Sequence, residues 1–307
     1  MPALIAHAYV ALTVLEKIED QVVLQAIHNH KNLFLLSSMG PDVYYYYGLL
    51  KNGNSVVKVG KIIHKQKPAM TFDLLREEIF SARNDLEREC AIAILAGFLC
   101  HYGLDRVGHP YVYYLQSMLQ KRVHSHATHA KVEAHLDAWI LHNCFVSAEQ
   151  DFHKIIFYIS NQEHAAYCQI LARLGRKVSN RKITPSQISE GIRSMRRVLK
   201  FFYSRSYIIM LFSSVCQKMS FKWTEGADFF IPKQPDGCID YLNMGKKEWF
   251  NVSNPKIKNH ESLPEILENA CDDGLWLIKN MCNFKDQNIS ALKVTKNISF
   301  DSGLKVD

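Results

Sequence analysis

His101, Asp105 and His109 stand four residues apart in the stretch Phe98-Leu99-Cys100-His101-Tyr102-Gly103-Leu104-Asp105-Arg106-Val107-Gly108-His109-Pro110. On an α-helix this spacing stacks the three side chains one turn above another along a single face. One such face can serve two metal ions, because imidazole nitrogen and carboxylate oxygen are both good ligands for zinc. A second unit repeats the pattern: His129 and Glu133 are again four apart, and Asp137 extends the same face by a turn. Sites with few thiolates suit hydrolysis rather than purely structural metal binding.

Eleven of the fourteen histidines fall between His7 and His142, under half of the chain. Three further candidates lie upstream of the helical units. They are His7, Asp42 in Met39-Gly40-Pro41-Asp42, and His64 in Gly60-Lys61-Ile62-Ile63-His64-Lys65. Each also has an ordinary reading: His7 as a core histidine, Asp42 as the cap of a Gly-Pro turn, His64 as a surface residue among lysines.

These residues need rigid carriers, and the apolar pattern supplies helices. Apolar positions recur at three- and four-residue spacing in Leu4 to Ile18, Phe72 to Ala82, Leu86 to Tyr102, Ala130 to His142, Phe152 to Leu174, Pro185 to Phe212 and Pro264 to Met281. No full strand length shows convincing two-residue alternation, so the fold class is all-α. Breakers fall at Gly40-Pro41, Gly53-Asn54, His109-Pro110, where the proline is read as ending the helix, and Gly175 to Asn180. Phe221 to His260 reads as a long ordered loop. The pattern gives one helical domain over residues 1–283, followed by a polar, mobile tail over 284–307.

The composition is that of an ordinary globular protein, with 48% hydrophobic and 22% charged residues and a formal charge of +7. Wholesale disorder is excluded. Basic residues concentrate between Arg173 and Arg205, a stretch suited to an anionic partner or simply to a solvated helix face. The eight cysteines contain no C-x-x-C pair and read as reduced, mostly buried thiols. Neither a basic region before an apolar run at the start nor an uncharged apolar stretch of spanning length is seen. The reading is therefore a cytoplasmic protein, or one peripheral at a membrane.

The order His, Gly-Pro-Asp, His, H-x-x-x-D and H-x-x-x-E resembles the zinc-dependent phospholipase C family, which shares an all-helical scaffold with fungal single-strand nucleases. His109-Pro110-Tyr111, Asp240-Tyr241-Leu242-Asn243 and Trp249 are similar to its shorter bacterial branch, and the resemblance runs over about residues 2–280. It implies two or three zinc ions. Asp42, His64, His101 and Asp105 would hold one; Asp105 would bridge to a second, also bound by His7; His109, His129 and Glu133 would hold a third. The position of His109 departs from the secreted relatives, which have a longer gap after the bridging aspartate. Those relatives also use the amine and carbonyl of the mature N-terminal residue as ligands, a role that Pro2 would take here after removal of the initiator methionine. His124, His126 and His135 have no place in the scheme except as residues orienting the ligands.

The same resemblance implies phosphodiester hydrolysis by a water or hydroxide held between metals, with Asp42 assisting as base and Asp105 the least replaceable ligand. Phospholipid is the first substrate class. A nuclease or small-phosphoester hydrolase on the same metals, and a non-catalytic metal-stabilised binding module, are the alternatives, with nucleic acid the less favoured partner. Tyr44 to Tyr47, Tyr111, Tyr113 and Tyr114 line a cleft or serve packing. An HD-type phosphohydrolase is excluded because no contiguous His-Asp pair occurs.

Overall fold

The computed structural model describes residues 4–48, 55–123, 129–144, 158–203, 232, 240–284, 286 and 289–306. The fold is all-α, with one small hairpin. In chain order the elements are α1 (Leu4–Leu15), α2 (Gln21–Asn29), α3 (Lys31–Ser37), a 3-10 helix (Gly40–Tyr46), α4 (Ser55–Gln66), α5 (Pro68–Phe80), α6 (Asp85–Val123) and α7 (His129–Cys144). There follow α8 (Asn161–Ser179), α9 (Pro185–Tyr203), strands β1 (Trp249–Asn251) and β2 (Asn254–Asn259), α10 (Leu263–Met281) and α11 (Ala291–Thr295).

Local chemistry sets where these helices begin. The Asp20 carboxylate accepts from the N–H groups of Val22 and Val23, opening α2. Reciprocal Ser-Glu boxes open α8 at Ser160 and Glu163, and α10 at Ser262 and Glu265. The hairpin was not foreseen. β1 and β2 are antiparallel, pairing Trp249 with Asn259 and Phe250 with Lys258 before the register shifts. They are too short for alternation to register in the sequence. The described part of the 221–260 stretch is thus partly a hairpin, and the helix expected from Phe152 begins at Asn161, with 151–157 outside the described residues.

α6 is the axis of the fold. Its 39 residues span about 58 Å at 1.5 Å per residue, and it packs against α1, α2, α3, α5, α7, α8, α10 and β1. It is long and apolar enough to cross a membrane, yet 89% of its apolar window is buried within the protein, as for the central helix of a bundle.

Two expectations are corrected here. Pro110 does not end the helix, which runs on to Val123. The proline removes one N–H, the partner of the Arg106 carbonyl, but the flanking Leu104, Tyr111, Val112 and Leu115 are all buried and hold the helix on course. The notch receives Gly303, whose φ of +65° favours glycine and where a Cβ would stand 2.6 Å from the Arg106 oxygen and 2.9 Å from Pro110.

The second correction concerns the tail. Where described, the chain after Asn283 folds back onto α5 and α6 instead of trailing free. Phe300 is fully buried, with ring centroids 4.5 Å from Tyr102 and 5.4 Å from His64. Ser299 donates to the His64 carbonyl at 2.9 Å, and Ile298 bridges to Lys305. The segment reads as polar because apolar residues are sparse in it, yet Ala291 and Phe300 are fully buried in the core. Phe300→Ala should cost about 3–5 kcal/mol in urea denaturation of the zinc-free protein; an unchanged midpoint would show that the tail contributes nothing to folding.

Candidate metal centre

Five elements bring eight candidate donor side chains together. α1 brings His7, the 3-10 helix Asp42, α4 His64, α6 His101, Asp105 and His109, and α7 His129 and Glu133. Asp105 is at the centre, with its side chain 4% exposed. Its Oδ1 lies 3.5 Å from His7 Nε2 and 3.8 Å from His109 Nε2, and its Oδ2 lies 3.0 Å from His101 Nε2 and 3.5 Å from His64 Nε2. Asp42 Oδ1 is 3.3 Å from His64 Nε2. On the other side, Glu133 Oε1 is 2.9 Å from His129 Nε2 and 3.8 Å from His109 Nε2.

Three groups emerge whose donor atoms lie within 4.8 Å of one another: His7 with His101 and Asp105, Asp42 with His64 and His101, and His109 with His129 and Glu133. Donors at about 2.1 Å from a tetrahedral zinc stand roughly 3.4 Å apart, and the histidine–carboxylate pairs here stand 2.9 to 3.8 Å apart. The hydrogen-bond inventory also fits. His7 Nδ1, His101 Nε2, Asp105 Oδ2 and His129 Nδ1 are buried without a hydrogen-bond partner among the described residues. Buried orphans of this kind are unfavourable unless another group satisfies them. His101 Nε2 and Asp105 Oδ2 stand 3.0 Å apart at the middle of the donor set, where a bound cation would meet that need.

Backbone carbonyls orient three of the imidazoles. His64 Nδ1 bonds to Gly60 O at 2.8 Å, His101 Nδ1 to Ser38 O at 3.1 Å and His109 Nδ1 to Phe300 O at 2.7 Å. Each bond keeps the proton on Nδ1 and turns the Nε2 lone pair toward the cleft. Room for His101 depends on Gly40, at φ +49°, where a Cβ would stand 2.4 Å from the imidazole. Asp137, which extends the α7 face in sequence, does not join the donors. Its carboxylate accepts from the N–H groups of Ile5 and Ala6, at 3.3 and 3.0 Å, and so fixes the start of α1 from which His7 projects.

The remaining candidates divide. His135 bonds to Lys131 O and stacks on Tyr241 at 4.6 Å. His124, His126 and Pro2 lie outside the described residues. Tyr44 and Tyr111 are packing residues whose hydroxyls reach Leu171 O and Tyr241 O. Tyr45 and Tyr113 line the cleft. In the basic stretch Arg173 pairs with Glu78 and Lys177 with Glu77, while Arg193, Arg196 and Arg197 are exposed on α9. Asp301 and the Phe300 carbonyl were not anticipated; the one trace in the sequence is an aromatic residue set before Asp-Ser-Gly.

Charge is strongly redistributed. Burial disfavours the ionised form of Asp105, but the imidazoles of His101 and His109 outweigh it and hold the carboxyl far below its usual range. Glu133 is likewise held low, against burial, by His129. Burial, reinforced by His101, lowers His7 to about 3. At His109 burial acts in the same direction, yet the charges of Asp105 and Glu133 raise it to about 10.

An all-helical scaffold that gathers imidazoles and carboxylates into adjoining donor groups is one that can hold metal. Residues 2–187 match the family described as zinc-dependent phospholipase C. The match spans more than half of the chain, and the chain belongs to this family. No curated protein and no solved structure matches it.

Two outcomes follow for metal binding. Asp105→Asn keeps the shape but not the charge of the shared ligand, so bound zinc by elemental analysis should fall by more than half while far-ultraviolet circular dichroism stays helical; full zinc content would show that Asp105 is no ligand. Because the pKa of His109 in the folded, metal-free protein lies above its unfolded value, its contribution to stability is complete below about pH 6.5 and is lost as pH rises through about 10. Zinc must displace that proton. Calorimetry in two buffers of different ionisation enthalpy at pH 8 should detect at least one proton released per protein, and a buffer-independent heat would contradict the assignment.

Proposed function

We propose that this protein hydrolyses phosphodiesters with two or three zinc ions, in the manner of a phospholipase C, with phospholipid as the substrate class. The observation that carries the reading is that members of all three donor groups line one cleft of about 290 Å³, with the buried His101 common to two of the groups and Asp105 within 3.8 Å of histidines from all three. Adjacent sites of this kind suit a phosphodiester, whose non-bridging, attacking and leaving oxygens all carry charge in the transition state. When bound, zinc lowers the pKa of water and offsets that charge.

The chain's own residues supply orientation and proton handling. Asp42 is the most accessible of the three carboxylate donors, its side chain 15% exposed against 4% for Asp105 and 5% for Glu133. It is therefore the carboxylate placed to take a proton from an attacking water. Its carboxyl is held below the usual range despite burial, by a hydrogen bond from His64 and the charge of His101, so it stays ready to accept. Asp105 and Glu133, nearly closed off, hold position. The backbone carbonyls behind His64, His101 and His109 keep the imidazoles from rotating.

The test is direct. Zinc-loaded full-length protein is offered bis(p-nitrophenyl) phosphate, short-chain phospholipids and single-stranded DNA. Release of diacylglycerol together with a phosphorylated headgroup, abolished by chelation and restored by zinc, is the expected result. Cleavage of DNA alone would move the protein to a nuclease role, and inactivity on every substrate at full zinc content would leave a metal-stabilised binding module.

A further inference from the structure

Apart from metal-donor side chains, the cleft is lined by Tyr45, Tyr113 and Asp301. The Tyr45 hydroxyl lies 3.2 Å from His64 Nδ1. Asp301 comes from the folded C-terminal segment, well outside the residues that match the family. Its Oδ1 accepts the Tyr113 hydroxyl, and its Oδ2 stands 3.2 Å from Lys65 Nζ. Lys65 follows the donor His64 directly in sequence and is 58% exposed. Tyr113 lies against the third donor group, its ring 4.9 Å from His129 and 5.8 Å from His109.

Tyr113 and Asp301 line the cleft and Lys65 backs Asp301 from outside that lining, which gives the wall a definite character. The carboxylate and the ammonium cancel, so the wall carries no net charge. A carboxylate has about four lone-pair positions and an ammonium three N–H groups, so both keep capacity for a ligand after bonding to each other and to Tyr113. The wall thus offers acceptors and donors side by side. A hydroxyl group uses both. A quaternary ammonium uses neither, since it has no N–H to donate, and the Lys65 charge opposes it where a cation site would need unbalanced negative charge or open aromatic faces.

We infer that Asp301, Tyr113 and Lys65 read the headgroup alcohol of the diester and select an uncharged, hydroxyl-bearing one such as glycerol or inositol over choline. This rests on the proposed hydrolase reading. With the phosphate held at the donor residues, the headgroup would lie within the same cleft as Asp301, where Asp301 would accept from a headgroup hydroxyl and Lys65 would donate to it. A site that hydrogen-bonds a substrate hydroxyl favours that substrate over one that lacks the hydroxyl. Asp301 is a specificity residue in this scheme, with Tyr113 and Lys65 fixing its two oxygens.

The test compares kcat/KM for short-chain phosphatidylglycerol and phosphatidylcholine in the zinc-loaded wild type and in Asp301→Asn, which preserves shape and leaves the Phe300 carbonyl untouched. The wild type should favour phosphatidylglycerol by at least tenfold, and the variant should lose most of that ratio with its zinc content retained. A purely structural role lowers both substrates together and leaves the ratio unchanged, which overturns the inference. Calorimetric binding of glycerol 1-phosphate and phosphocholine gives a readout without turnover: the glycerol ester should bind more tightly to wild type, and the difference should shrink in the variant. Equal binding of the two by wild type also overturns it. Inactivity of the wild type on every diester, bis(p-nitrophenyl) phosphate included, sinks the hydrolase reading and this inference with it, whereas turnover with no headgroup preference sinks this inference alone.

Discussion

One buried carboxylate organises this protein. Asp105 is 4% exposed and has four imidazoles within 3.8 Å, two facing each oxygen. An isolated carboxylate so placed would be very unfavourable, and the histidines around it are the reason it stays ionised. The same arrangement leaves orphaned nitrogens and oxygens in the interior, so the metal-free centre is held together by groups whose best partners are cations.

α6 makes that possible because it carries three donors and touches most of the other elements. Its proline breaks one rung of the helical ladder one turn beyond Arg106, and the opening is filled from a distance by Gly303. The C-terminal segment therefore does two jobs with neighbouring residues. Phe300 packs beneath His64 and gives its carbonyl to His109, while Asp301 turns toward the cleft. A tail that buries one aromatic ring thereby orients a metal donor and forms part of the wall a substrate would meet.

Electrostatics divides the donors by exposure. Glu133 and Asp105 are enclosed and serve as fixed charges, whereas Asp42 remains partly open. His7 and His109 face the same carboxylate yet are driven in opposite directions. His7 is buried beside another imidazole and has a single close carboxylate, so burial dominates. His109 lies between two carboxylates, and their combined charge exceeds the effect of burial. Position within the cluster decides which histidine must surrender a proton when metal enters.

The helical class was legible in sequence because apolar periodicity is local. The pairs His101–Asp105, Asp105–His109 and His129–Glu133 were legible for the same reason, since four residues make one helical turn whatever surrounds them. Asp42 and His64, twenty-two positions apart, have no such signature; resemblance to a family suggested their partnership, and the packing of the 3-10 helix against α4 puts their side chains 3.3 Å apart. The course of α6 through Pro110, the order of the tail, the turn of Asp137 toward α1 and the entry of Asp301 into the cleft were decided by tertiary structure alone. A helix repeats its geometry every turn, so spacing predicts what shares a face. Which distant carbonyl or carboxylate meets that face depends on how whole elements pack, and no spacing within one segment records it.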